Sequence, residues 1–153
     1  MNTTASLDQM QQLKLLGMHH AYHSQLELPM NQQLEGHELI AHLLGAEQLH
    51  RVNEKTTYYL KLAKLRLPAT LEQIECSPAR NLTKQQLATM TEGRYLDHGE
   101  NLLITGATGC GKSFLACALG HQACIQGYKT SYLNMNRLIE KVILSRLDGS
   151  YIK

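Results

Sequence analysis

The sequence has little of what marks a fibrous, secreted or membrane chain. Three prolines and eleven glycines in 153 residues exclude collagen and low-complexity linkers. Charged residues make up 18% against 43% apolar, which excludes an acidic or basic disordered tail. Valine and isoleucine are scarce beside leucine, which argues against an all-β sandwich. The formal net charge is +2, so no global field dictates a nucleic-acid partner, and any such contact must come from a local patch. No run approaches ~18 uninterrupted apolar residues, and the start from Met1 to Asp8 has neither a basic region nor an apolar core. The expectation is a soluble, cytoplasmic chain with no membrane partner. Cys76, Cys110, Cys117 and Cys124 form no CxxC pair and have no histidine at metal spacing, so reduced thiols are expected. What remains is leucine and room for one domain with a real core.

The apolar spacing predicts helix from about Ser6 to Arg66, broken once at Pro29. Ser6 with Gln9 reads as a capping box, and a second periodic stretch runs from Glu35 to Leu65, stopping before Pro68. Residues 69–80 lack periodicity and read as an extended connector. Thr83 with Gln86 opens a short helix through about Thr91. An apolar run, Leu102-Leu103-Ile104, precedes a glycine-rich turn and a helix with Phe114, Leu115, Ala118, Leu119 and Ala123 along one side; Gly127 ends it. Residues 130–133 are β-prone, and Asn134 or Asn136 can cap a last helix over Leu138 to Leu147. Strand, turn, helix, strand, helix is the pattern of a parallel α/β sheet.

Within that pattern, Gly106-Ala107-Thr108-Gly109-Cys110-Gly111-Lys112-Ser113 matches G-x-x-x-x-G-K-[ST] without a mismatch. The glycines let the backbone take positive φ and approach phosphates closely. Successive N–H groups then converge on phosphate oxygens at the positive end of the following helix. Lys112 supplies a point charge to the β and γ phosphates of ATP, and the Ser113 hydroxyl completes the coordination of Mg²⁺. Cys110 sits at a variable position and is read as a small residue, not a nucleophile. Hydrolysis needs a further acid and an arginine finger. After Lys112 the acids are Glu140 and Asp148, and the arginines Arg137 and Arg146; all fall on or at the end of the last helical pattern, where a solvated face is expected.

Three further runs accompany the motif: Leu67-Pro68-Ala69-Thr70-Leu71-Glu72, Gly99-Glu100-Asn101-Leu102-Leu103-Ile104-Thr105-Gly106, and Lys112 to Gly127 with Ser113-Phe114-Leu115-Ala116-Cys117-Ala118-Leu119-Gly120-His121. With the late Asp148-Gly149-Ser150-Tyr151, they resemble the IstB-like ATP-binding proteins, helper ATPases of bacterial insertion sequences related to the DnaC helicase loaders within the AAA+ group. The resemblance implies an α/β P-loop NTPase with an AAA+-like parallel-sheet core, incomplete here and preceded by an α-helical N-terminal region. It also implies a protein that assembles with itself on double-stranded DNA and assists the transposase of its element. Family members continue into a strand with the metal-binding acid pair, a sensor and arginines acting across subunits; no counterpart is found here, so a fragment is expected and hydrolysis by this chain alone is left open. Three regions follow: 1–67, helical, for DNA or partner binding; 68–98, connector and short helix; 99–153, the first part of the ATPase domain. A DnaC-like helicase loader and a non-catalytic DNA- or protein-binding helical module are the alternatives.

A local patch exists as well. Arg51, Lys55, Lys61, Lys64 and Arg66 stand against one acid, Glu54, and Tyr58 and Tyr59 lie among them. On a helix, Arg51, Lys55, Tyr58, Tyr59 and Arg66 gather within roughly 100°. Bases with interleaved aromatics could grip phosphate and stack, although a solvated face on a packing helix explains them nearly as well. His19, His20 and His23 share part of a helix turn, but nothing completes a metal set, and surface or partly buried histidines are expected.

Overall fold

A computed structural model describes residues 3–150; Met1, Asn2 and the last three residues, Tyr151 of the closing family-like run among them, lie outside the described residues. The chain divides into two compact units, 1–57 and 58–153, and the division falls within a long helix.

In the first unit, α1 spans Thr3–Gln12 and α2 spans Leu16–Leu26, followed by a 3₁₀ turn at Met30–Gln32 and by α3, Gly36–Ala63, whose last residues belong to the second unit. Ser6 therefore lies inside α1, not at its N-cap. Two helices precede Pro29, because Lys14 takes a left-handed φ of 58°. Leu15 N–H bonds to Met10 O (2.9 Å) and Lys14 N–H to Gln11 O (3.0 Å), the Schellman pattern that glycine ordinarily serves. The α2–α3 crossing is tight. A Cβ on Gly17 would lie 2.6 Å from Ala46 O, 2.7 Å from Glu47 Cα and 2.8 Å from His50 Cβ. Glu47, only 7% exposed, uses that closeness: its Oε2 accepts from Gly17 N (2.9 Å) and Met18 N (3.2 Å), capping α2 from another helix. Its Oε1 accepts from Arg51 Nε at 2.7 Å. The bond from Arg51, with those from the two amides, holds the Glu47 carboxyl below the ordinary carboxylate range despite its burial.

In the second unit α3 ends at Ala63, and Lys64 (φ 48°) turns the chain. The segment that follows is partly core rather than an extended connector. It carries 3₁₀ turns at Leu71–Gln73 and Pro78–Arg80, and its Ala69 is buried with Cys117 and Ala118 among Leu65, Leu67, Leu71, Ile74, Phe114 and Tyr132. Two helices follow: α4, Lys84–Glu92, and α5, Arg94–Asp97. The Thr83 capping box forms as the sequence predicts: Gln86 N–H donates to Thr83 Oγ1 (3.1 Å) and Thr83 N–H to Gln86 Oε1 (2.9 Å). Next is α6, Lys112–Ile125, which buries Cys117, Ala118, Leu119, Ala123 and Cys124. It ends on Gly127 (φ 91°), with Tyr128 N–H bonded to Ala123 O at 2.9 Å. Asn134 caps α7, Met135–Leu147, by accepting from Asn136 N at 2.9 Å.

The expected parallel sheet does not form among the described residues. Segments 102–105 and 130–133 are in no ladder, and the bridge that does occur is an isolated antiparallel one, Ser77 with Leu82. A parallel strand needs a neighbour along its length to satisfy its slanted N–H and C=O groups. Leu103 is instead 85% exposed, and at 130–133 Tyr132 N–H bonds to Ala63 O (2.8 Å), a single bond to a helix end. On α7, Met135, Leu138, Ile139, Ile143, Leu144 and Leu147 are likewise exposed.

Candidate functional site

The eight residues 106–113 form an exposed loop running into α6. Gly106, Gly109 and Gly111 hold φ of 154°, 82° and 92°. A Cβ on Gly109 or Gly111 would meet nothing within 4 Å, so glycine is required there for conformation and not for room. Gly111 is the N-cap of α6 and has no side chain with which to cap it. The first turn of a 14-residue helix therefore presents its amides and the positive end of its dipole toward the loop.

Lys112 folds back over this turn. Its Nζ donates to Gly106 O (2.9 Å) and Ala107 O (2.6 Å) and lies 4.0 Å from Cys110 Sγ. Ser113 is exposed beside it. Cys110 is exposed too, while Cys117 and Cys124 are buried packing residues. All of 106–113 is thus brought together on one short bend.

The loop borders a cleft of about 1040 Å³, a volume in the range of small-molecule sites. Cys110, Gly111 and Lys112 line it beside the extended Leu102–Thr105, with Phe114 and Leu115 from α6. Its other lining comes from residues that the motif does not single out: Ile74, Glu75, Arg80, Asn81, Leu82 and the α4 residues Gln86, Thr89 and Met90. The signal that could have found them is weak, because 74–80 has no periodicity and reads as linker, and the helix expected from Thr83 carries nothing that ties it to the loop. Arg80 Nη1 donates to Glu75 O at 3.4 Å, within that lining.

The acids and bases weighed for hydrolysis lie elsewhere. Glu140, Arg137 and Arg146 are exposed on α7, and none lines the cleft. Asp148 Oδ1 accepts from Ser150 Oγ (2.6 Å) and Ser150 N (3.0 Å), and those bonds hold its carboxyl below the ordinary range. Among the described residues no group of three or more histidine, cysteine, aspartate or glutamate side chains is placed to hold a metal.

The residues of the basic patch follow one another along α3 and past its end. Arg51 and Lys55 lie on α3 in the first unit, and Arg51, though 66% exposed, commits its Nε to Glu47. Tyr58, Tyr59 and Lys61 lie on the last turns of α3 in the second unit, with the tyrosine rings 6.1 Å apart. Lys64 and Arg66 follow the helix end, so Arg66 does not share the helical sector read from the spacing. His19 lies 5.6 Å from His20 and 6.4 Å from His23 between ring centroids, and His20 lies 6.5 Å from His50, which the spacing had not joined to the group. No helix of the described residues is long and apolar enough to cross a membrane.

Comparison with known proteins adds a family. The model of the IstB-like ATP binding protein family matches residues 8–153. A relative from Pseudomonas fluorescens, whose name assigns it to insertion sequence IS1162 and to ATP binding, is 40% identical over 99% of this chain and 66% of its own length. A relative from Sinorhizobium fredii, also named for an insertion sequence and ATP binding, is 34% identical over 97% of this chain and 60% of its own. One from Pseudomonas aeruginosa, named for insertion sequence IS21, is 27% identical over 90% and 53%. The chain thus spans about three fifths of the length of such relatives.

Proposed function

The chain belongs to the family of IstB-like ATP-binding proteins, and on that premise we propose that it binds ATP with Mg²⁺ at residues 106–113 as part of an insertion-sequence helper protein. The observation that carries this reading is the loop itself. Three positive-φ glycines lead into the uncapped N-terminus of α6 at the edge of a cleft large enough for a nucleotide.

Each residue then has a task. The amides from Gly109 to Ser113 bind phosphate oxygens, which bear the charge that the helix end favours. Lys112 exchanges two neutral carbonyls for a phosphate, because the full negative charge of the phosphate attracts the ammonium more strongly than a carbonyl dipole does. Ser113 Oγ supplies a ligand to the Mg²⁺ carried by the phosphates. The apolar side chains of Ile74, Leu82, Met90 and Phe114 suit the base, and Arg80, Asn81 and Gln86 offer polar groups to the sugar or base.

The proposal covers binding; hydrolysis by these residues alone is not part of it, because Glu140 and Asp148 lie off the cleft. The same reading takes 102–105 and 130–133 as strands of a parallel P-loop sheet, with 1–67 as a helical region, 68–98 as its connector and 99–153 as the opening part of the ATPase domain. In the proposal the protein self-associates and helps the transposase of its element at double-stranded target DNA. Contacts by Arg51, Lys55, Tyr58, Tyr59, Lys61, Lys64 and Arg66 would give that association a strong salt dependence.

Titration of the folded chain with labelled Mg·ATP tests the reading. Saturable binding is expected, weakened roughly 10- to 100-fold by Lys112→Ala, the loss of a charge-assisted phosphate contact. Absence of a saturable signal from folded wild-type chain would end the proposal.

A further inference from the structure

The cleft has two sides of different origin, and what fixes their spacing lies outside it. One side is the loop and the start of α6; the other is α4 with the segment before it. At the far end of α6, two side chains reach back across. Gln126 Nε2 donates to Thr91 O at 2.8 Å, and the Tyr128 hydroxyl donates to Asp97 Oδ1. The approach is close: a Cβ on Gly93, the φ 76° residue joining α4 to α5, would lie 2.5 Å from Gln126 Oε1. Gln126, Tyr128, Thr91 and Asp97 do not line the cleft. Thr91 is nevertheless the next residue after Met90, so the bond to its carbonyl acts on the helix that presents Gln86, Thr89 and Met90 to the cleft.

We infer that Gln126 and Tyr128 are positioning residues for nucleotide binding, holding α4 and α5 against the end of α6 so that the wall opposite the phosphate loop stands at the distance a base and sugar require. The inference rests on the nucleotide reading of the cleft and adds to it a division of labour. The phosphate loop is self-contained within 106–113, whereas the wall depends on a tertiary clasp about four helical turns away, the length of α6. The phenol of Tyr128 is pushed above its ordinary range, chiefly by the bond to Asp97. Because the loop needs no clasp, a ligand that is phosphate alone should not sense its loss.

The test titrates the full chain with Mg·ATP and, separately, with Mg·tripolyphosphate. Tyr128→Phe removes only the hydroxyl, and Gln126→Glu replaces the donor at nearly constant size. Each is expected to weaken ATP binding about three- to tenfold, the effect of one net hydrogen bond, and to leave tripolyphosphate affinity unchanged. Asp97→Asn, which keeps an accepting oxygen, should retain ATP affinity better than Asp97→Ala. An equal loss for both ligands, or no loss for either, overturns the inference. Failure of the wild-type chain to bind tripolyphosphate and ATP would be a different result, removing the nucleotide reading itself before any variant is compared.

Discussion

Two helices in this molecule begin beside glycine and leave their first amides to be satisfied from elsewhere, yet they are satisfied in opposite ways. At α2 the donors of Gly17 and Met18 are taken by a protein carboxylate, Glu47, buried and brought in by a neighbouring helix. At α6 the N-cap is Gly111, with no capping side chain, and the turn before it is exposed. The glycines differ in the same sense. Gly17 is needed because three atoms of α3 stand within 2.8 Å of where its Cβ would be, while Gly109 and Gly111 have open space and positive φ. One helix start is finished internally and serves stability; the other, in the function proposed, is finished by the phosphates of ATP. The physics of orphan amides and the helix dipole is common to both.

The largest expected effect breaks this comparison on the stability side. Gly17→Ala forces α2 away from α3 and loosens the Glu47 cap, which should cost about 3 kcal/mol, as overpacking with lost hydrogen bonds does. Gly109→Ala should cost only about 1 kcal/mol, the strain of a side chain at φ 82°. It should nevertheless weaken Mg·ATP binding as Lys112→Ala does. Urea unfolding of each variant followed by far-ultraviolet circular dichroism, beside ATP titration, checks the pair. If Gly17→Ala were the milder change in stability, the distinction between the two glycines would be wrong.

The next effect is smaller and depends on pH. Glu47 titrates below 4.5 in the folded chain, chiefly through Arg51 and the two amides. A depressed carboxyl contributes stability that is fully present above the unfolded value, 4.5, and is lost as pH falls through the folded one. Glu47→Gln should therefore cost about 2 kcal/mol at pH 7, a charged bond to buried donors being lost. Its unfolding curve should approach the wild-type curve as the pH is lowered below 4.5. A cost independent of pH would mean that the charge is not what caps α2.

What the sequence disclosed follows the same division between local and distant causes. The glycine-rich bend at 106–113, the Thr83 box, the Asn134 cap and the stop at Gly127 all lie within a few residues of their own cause, and the backbone of each is legible in the sequence. Lys14 and Lys64 end helices in the left-handed conformation that glycine usually supplies, so those breaks were hidden. The packing of Leu65, Leu67 and Ala69 on α6 and the capping of α2 by Glu47 depend on residues 30 or more positions away, which periodicity does not report. The sheet is the complementary case. Apolar runs at 102–105 and 130–133 disclose a preference for extended backbone, but a ladder requires a neighbouring strand, and none pairs with them among the described residues. The cleft wall from Ile74 to Leu82 lacks both period and motif, and nothing in the expected helix over Gln86, Thr89 and Met90 ties it to the loop.

The smallest prediction concerns a helix start satisfied neither by a distant carboxylate nor by a ligand, but by its own neighbour. At α4 the Thr83 hydroxyl accepts from Gln86 N, and Gln86 Oε1 returns the bond to Thr83 N, all within four residues and exposed to water. Water can replace part of what such a cap supplies, so Thr83→Ala should cost about 1 kcal/mol, less than either change at α2. Because Gln86 also lines the cleft, the same substitution frees a side chain facing the space proposed for the nucleotide. If α4 frays with its cap, ATP affinity should fall modestly while tripolyphosphate affinity holds, as for Gln126→Glu at the other end of the helix. A cost in stability with no change in ATP affinity would confine α4 to a scaffolding role and place recognition of the base with the residues before it, from Ile74 to Leu82.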